Sequence, residues 1–277
     1  MTGSPSDTSP AATDVAVIDP DRQASTERPN RLFPLLSLIV PLLLLGMWQV
    51  VTSAGWFSRV QLPPPADVLS AGWDLARGGE LWIHVGISTQ RVLLGFLIGA
   101  LLGLAAGAAI GLSRLSSALF APTIGGFRAV PSLAWVPLLL LWIGIGENSK
   151  VTLIAIGAFF PVYTTVATAL RHVDKDLVEA GRAFGLPPVR LLTTVQLPAV
   201  LPSVASGLRL ALAQAWLFLV AAELLASSMG LGFLLVDSQN NGRTDRLLLA
   251  ILLLAVFGKI TDAILGRVEK WAVGRWA

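Results

Sequence analysis

The stretch Val92-Leu93-Leu94-Gly95-Phe96-Leu97-Ile98-Gly99-Ala100-Leu101-Leu102-Gly103-Leu104-Ala105-Ala106-Gly107-Ala108-Ala109-Ile110-Gly111-Leu112 decides the fold. Its 21 residues carry no charge. As a helix it is long enough to cross about 30 Å of hydrocarbon. Gly95, Gly99, Gly103, Gly107 and Gly111 recur every four residues, which puts them along one helix face. A face without side chains lets another helix backbone approach closely. Tight packing inside one subunit and a helix that rocks against its neighbour both use such a face.

Comparable apolar runs lie at about 32–52, 119–143, 151–170, 204–225 and 247–265. Backbone polar groups must be satisfied within lipid, so each is expected to be helical. The runs are too long for barrel strands and lack period-two alternation. Overall, 54% of the 277 residues are hydrophobic and 13% are charged, whereas soluble domains average about 25% charged. The expected fold class is therefore all-α integral membrane, with about six transmembrane helices.

Residues 1–30 are polar, rich in Ser, Thr, Pro and Asp, and read as a disordered tail rather than a signal peptide. The expected membrane domain is 31–277. With the N-terminus inside, eleven loop Lys and Arg face the cytoplasm, among them Arg114, Arg171, Lys175, Arg182 and Arg190, against five outside. Both termini are expected to be cytoplasmic. Arg91, Arg128, Arg209 and Lys259 fall at helix ends or within spans. The first outer segment contains Leu62-Pro63-Pro64-Pro65, a helix breaker. Asp67 follows as a candidate N-cap, and Val68, Leu69, Gly72, Trp73, Leu75 and Ala76 suggest an amphipathic helix on the membrane surface.

With no Cys, the chain has no disulfide framework, no thiolate metal site and no cysteine nucleophile. His84 and His172 lie far apart in sequence. No catalytic constellation and no metal site is expected. The scattered basic residues read as topology signals, not as a nucleic-acid patch. In the third run, Arg128-Ala129-Val130-Pro131-Ser132-Leu133-Ala134-Trp135-Val136-Pro137 breaks the helix ladder at membrane depth. This is either a simple kink or an interrupted helix lining a transport path. Arg128, Pro131, Trp135, Gln214 and Glu223 are the candidate pathway or gate residues. For Glu223 the alternative is structural, as an acceptor for a neighbouring helix or for backbone at a helix end, because a carboxylate facing lipid is strongly disfavoured.

The loop at 171–198 is too long for a simple connection. Asp174–Gly185 has helix-forming character, with Leu177, Ala180, Ala183 and Phe184 on one face and a helix stop at Gly185. That face needs a partner, and small residues at 180, 181 and 183 would let it sit deep in a partner's groove; the alternative is a surface helix resting on the bilayer. The order Glu179-Ala180-Gly181, three residues, Gly185, nine residues, Val195, one residue, Leu197-Pro198 is similar to the cytoplasmic signature loop of ABC importer permeases. That family carries Ala where Gly181 stands and Ile where Val195 stands. Trp142-Ile143-Gly144-Ile145-Gly146, Phe159-Phe160-Pro161, Glu223-Leu224-Leu225 and Gly230-Leu231-Gly232 resemble the sulfonate, taurine and nitrate branch.

The resemblance implies a type I importer permease in a bacterial inner membrane, forming a dimer, usually of identical chains in this branch. Two ATPase subunits would bind through the loop helix, and an external binding protein would deliver a small anion such as an aliphatic sulfonate, taurine or nitrate. Asp176, Glu179, Ala180, Gly181, Gly185, Leu197 and Pro198 would be the ATPase-coupling residues. The chain itself has no Gly-x-x-x-x-Gly-Lys-Ser/Thr loop to cradle ATP phosphates, so it binds no cofactor in this reading and ATP is used by the partner. A self-sufficient secondary transporter or channel is the competing reading. It would call for ionisable groups paired at mid-membrane.

Overall fold

The computed structural model describes residues 33–275, and every regular element in them is helical. The tail at 1–30 lies outside the described residues. The chain divides into two units, 1–47 and 48–277. In the first unit the described residues belong to α1 (Phe33–Ser53), an apolar helix containing Pro41 whose final turn extends into the second unit. The second unit holds α2 (Pro65–Arg77), α3 (Glu80–Leu112), α4 (Arg114–Ala129), α5 (Val136–Ile143), α6 (Glu147–Arg171), α7 (Lys175–Ala183), α8 (Pro188–Leu191), α9 (Leu197–Ala226), α10 (Leu231–Asn240) and α11 (Thr244–Gly274).

Among the described residues, α3, α6, the run from α8 through α9, and α11 are each long and apolar enough to cross a bilayer. The pair formed by α4 and 132–143, bent by 87°, is apolar enough to be a fifth, broken span or a re-entrant loop. With α1, each of the six apolar runs corresponds to one helix or helix pair. The helices exceed the runs at several ends. Thus α3 starts twelve residues before Val92, at Glu80. Its added turns carry Leu81, Val85, Ser88 and Arg91 on a buried face, so polar residues that lower the hydropathy there lie inside the protein.

The bend after α4 has a clear local cause. Pro131 follows the last turn of α4 and precedes a 3₁₀ turn at Ser132–Trp135, while Pro137 sits in the first turn of α5, where no N–H is needed. α2 corrects the sequence reading in two ways. Pro65 is its first residue and Pro64 its N-cap, so Asp67 lies inside the first turn. Its buried face is Val68, Ala71 and Leu75, while Leu69 and Trp73 are exposed. Leu249 of α11 closes against Gly72, so α2 is a packed element of the bundle and not solely a surface helix.

The glycine stripe of α3 faces α6. A Cβ at Gly103 would lie 2.8 Å from the Phe159 carbonyl and 2.9 Å from Val162 Cβ. One at Gly107 would lie 3.0 Å from the Tyr163 carbonyl and 2.8 Å from Val166 Cβ, and one at Gly111 would lie 2.8 Å from Leu170 Cβ. Gly95 and Gly99 meet Ile154, Ala155 and Ala158 in the same register. Two helices thus run side by side with matching four-residue periods, carbonyl against glycine at each step. The seam lies within one chain.

Overpacking a seam walled by backbone should destabilise by about 1–3 kcal/mol or more. Gly103→Leu is expected to lower the thermal midpoint of the detergent-solubilised protein, followed by tryptophan fluorescence. Gly86→Leu is the control, since nothing lies within 4 Å of that position. Equal midpoints for the two variants would remove the seam from the account.

Candidate functional site

Three groups of residues carry candidate function. The first is the 171–198 loop. Asp174 caps α7 by accepting from the Asp176 N–H at 2.9 Å, and Asp176 adds a second carboxylate to the first turn, where the helix dipole favours it. At the other end Gly185 adopts φ +73°, its N–H donates to the Arg182 carbonyl at 2.9 Å, and the Leu186 N–H donates to the Gly181 carbonyl at 3.2 Å. These paired bonds close the last carbonyls of α7 and require the left-handed residue that glycine supplies.

Gly181 is the buried residue of α7. A Cβ there would lie 2.5 Å from Leu191 Cδ1 and 3.5 Å from Val195 Cγ2. This corrects the expectation that the small residues at 180, 181 and 183 together enter a partner's groove. Gly181 faces its own chain, because α7 folds back onto the shelf of Leu191 and Val195. Glu179, Ala180 and Ala183 are exposed, and so is Leu177; Phe184 is 86% exposed and Val189 73%. Leu197 and Pro198 open α9, directly after a π-helical turn at Leu192–Gln196.

The second group lies at the bend between α4 and α5. Arg128, in the last turn of α4, donates to Thr164 Oγ1 of α6 at 3.3 Å, and Trp135 lies against Phe127 with ring centroids 5.8 Å apart. Pro131 sits between them. Gln214 is half-buried midway along α9. No residue of α4 is buried, and Leu141, Trp142 and Ile145 are exposed.

The third group gathers around Arg91 of α3, whose side chain is 5% exposed. Its Nε and Nη2 grip the Glu147 carboxylate at 2.6 and 2.5 Å. Its Nη1 donates to Glu223 Oε1 at 2.7 Å, to the Met229 carbonyl at 2.7 Å and to Ser227 Oγ at 3.1 Å. Glu223 also accepts from Ser88 Oγ at 2.8 Å and from the Gly232 N–H at 2.7 Å. Ser88 Oγ in turn accepts from the Leu231 N–H at 2.8 Å, and His84 Nδ1 accepts from the Gly230 N–H at 3.0 Å. Gly230 has φ +122°, and a Cβ there would overlap the Glu223 carboxyl. Lys150 Nζ donates to Glu147 at 3.0 Å.

This geometry corrects the placement of Glu223 beside an open pathway. Its side chain is fully buried, and Trp216 and Leu219, which share its face, are buried too. A desolvated carboxylate is held by a guanidinium and a backbone N–H, so it ties the α9–α10 turn to α3. The sequence reading also missed the partner, leaving Arg91 among helix-end residues. The available signal was the series His84, Ser88, Arg91, at spacings that return to one face of a helix. A second ion pair joins Arg209 of α9 to Asp262 of α11 at 2.9 Å, with Glu269 at 3.4 Å. The Arg209–Asp262 pair lies within its helices, whereas Glu147 opens α6 and Glu223 stands near the end of α9.

Comparison with known proteins agrees with these features. Residues 95–273 match the family described as binding-protein-dependent transport system inner membrane component. The chain is 41% identical over 238 residues to the protein named as the aliphatic sulfonates transport permease SsuC of Escherichia coli (strain K12), covering 86% of this chain and 90% of that one. It is 40% identical over 233 residues to the protein so named in Bacillus subtilis (strain 168), with 84% of each covered. Against the taurine transport system permease protein TauC of Escherichia coli (strain K12) identity is 34% over 85% of this chain and 89% of the relative. The fold is shared with a chain of an inward-facing MetNI methionine ABC transporter, at TM-score 0.58 and 20% identity over 74% of this chain and 97% of that one. The chain thus belongs to the binding-protein-dependent transport system inner membrane component family, the membrane permeases of ABC transporters.

Proposed function

We propose that this permease imports an aliphatic sulfonate, working as two identical copies with two ATPase subunits and an external binding protein, and that α7 is its ATPase-coupling helix. The observation that carries the coupling is the form of the 171–198 loop. A capped helix is fastened to its own chain through Gly181 while Leu177, Phe184 and Val189 stand exposed. Such an apolar surface on a projecting loop calls for a protein partner. Hydrolysis belongs to that partner, and ATP is bound there and not by this chain. The names of the relatives at 41% and 40% identity support the substrate class, and the name of the relative at 34% identity adds taurine.

A second copy of the chain would cover α4 and α5, which bury little within a single chain. Arg128 at their bend would then offer a cation to an anion crossing beside Pro131 and Trp135. The Lys and Arg distribution supports cytoplasmic termini, a cytoplasmic α7 and residence in a bacterial inner membrane.

Uptake of a radiolabelled alkanesulfonate by cells expressing the permease with its ATPase and binding protein is the direct test. Uptake that persists when the ATPase is catalytically inactive would overturn the proposal. Gly185→Val is expected to leave membrane insertion intact but to abolish both uptake and ATPase co-purification, because a β-branched residue resists φ +73°. Wild-type uptake by that variant would refute the coupling assignment.

Topology can be read separately, because the chain has no native Cys. Ser238, in the α10 segment expected outside, is buried and unsuited to labelling. Exposed Asn241 replaces it. Asn241→Cys is expected to react with an impermeant thiol reagent in intact cells, and Lys270→Cys only after permeabilisation. The reverse pattern would invert the orientation.

A further inference from the structure

A cavity of about 790 Å³ opens between the start of α7 and the junction of α3 with α4. Arg114, Arg171, Lys175 and Arg182 line it, against the single carboxylate of Glu179. Among the described residues none of these four cations lies within 4.0 Å of a carboxylate. Arg171 donates to Ser117 Oγ at 2.7 Å, a neutral acceptor that leaves its charge uncompensated. Four like charges around one notch repel one another, and an anion seated among them would relieve that repulsion. Two of them, Arg114 and Arg171, sit on the spanning helices, and two on α7, so an anion bound here would bridge the two parts.

The notch does not end in polar walls. Leu112 and Leu170 line it and also line a second groove of about 510 Å³ that runs along α3, α6 and α9 past Leu104, Val166, Val200 and Val204. A cationic notch joined through shared residues to an apolar groove has the profile of an amphiphile, one end anionic and the other hydrocarbon. A free oxyanion has no use for the groove, and a docked ATPase loop would not reach along it to the depth of Val204, seven residues inside α9.

We propose that the notch binds the phosphate headgroup of an anionic phospholipid whose acyl chain lies in the adjoining groove. The bound lipid ties α7 to the ends of α3 and α6. The site lies at the headgroup level of the membrane face that carries α7, which rests on the cytoplasmic placement given under Proposed function. Basic pockets between spanning helices are suited to such headgroups.

The purified permease–ATPase complex, incorporated into nanodiscs with equal amounts of phosphatidylglycerol and phosphatidylcholine and then released for native mass spectrometry, gives the test. The complex is expected to retain phosphatidylglycerol in preference to phosphatidylcholine. Arg114→Gln with Arg171→Gln should lower that preference about thirtyfold, from about 1 kcal/mol per charge. Arg114→Lys with Arg171→Lys should preserve it. Arg114 is exposed, so the single Arg114→Gln variant carries the test if the double variant does not fold.

Equal retention of the two lipids, or unchanged preference in Arg114→Gln, overturns the proposal. So does a thermal shift of the delipidated complex in millimolar phosphate or alkanesulfonate equal to that in a short-chain phosphatidylglycerol, which would make the notch a site for free anions. Loss of ATPase co-purification with lipid preference intact would instead assign the notch to the ATPase. Lipid retention is read on the purified complex without transport, whereas the permease reading fails through sulfonate uptake, so the two failures are separable.

Discussion

The close approach of α3 to α6 is the constraint on which the other contacts depend. Lipid tails are as apolar as Leu, so hydrophobic burial supplies little net drive between two spanning helices, and association rests on van der Waals fit and polar links. Five glycines bring the α3 backbone onto the carbonyls of Phe159 and Tyr163 and onto Ile154, Ala158, Val162, Val166 and Leu170. Neither helix can rotate or slip by one residue without placing a side chain where there is room for none. That fixed register sets where Arg91 stands relative to Glu147 at one end, and where Ser117 stands relative to Arg171 at the other.

The two ends use the register differently. At the Arg91 end the geometry is closed. One guanidinium satisfies Glu147, Glu223, Ser227 and the Met229 carbonyl, and Glu223 takes further bonds from Ser88 and the Gly232 N–H. Removing Arg91 would strand the buried Glu223 charge, typically at about 3–5 kcal/mol, so the cluster specifies how the α9–α10 turn docks. At the α7 end the charges are left open and the apolar residues Phe184 and Val189 are exposed. One end is finished within the chain, and the other is built to be completed from outside it.

The fold was legible because membrane helices announce themselves by length and hydropathy, and six runs gave six helices or helix pairs. The form of the 171–198 loop was legible for another reason: Gly185 and the Leu197-Pro198 pair do local backbone work, stopping one helix and starting another, and such work depends on residues nearby in sequence. What remained hidden depended on distant ones. Arg91 and Glu223 are 132 positions apart, and nothing local distinguishes a paired arginine from one at a helix end. Gly181 was misread toward a partner because a helical wheel shows which residues share a face but not which face the chain folds back upon. The turns of α3 before Val92 fall outside the apolar run because their polar residues lower the hydropathy of a segment whose polar face is interior.

The connection between the seam and α7 has a mechanical consequence. α6 ends at Arg171 and α7 begins at Lys175, with His172-Val173-Asp174 between them. The His172 N–H still donates to carbonyls of α6, at 3.2 Å to Thr168, and Asp174 already caps α7, so the linker has almost no slack. In the proposed coupling role, a displacement of α7 therefore passes to α6, and through the interlocked glycines to α3 as one unit. α4 buries no residue against that unit and is bent by 87° from the segment at 132–143, so in the same role relative motion would concentrate at the Pro131 break. In that proposed role, a rigid seam beside a broken helix would let a push at α7 open a path elsewhere without loosening the bundle that receives it.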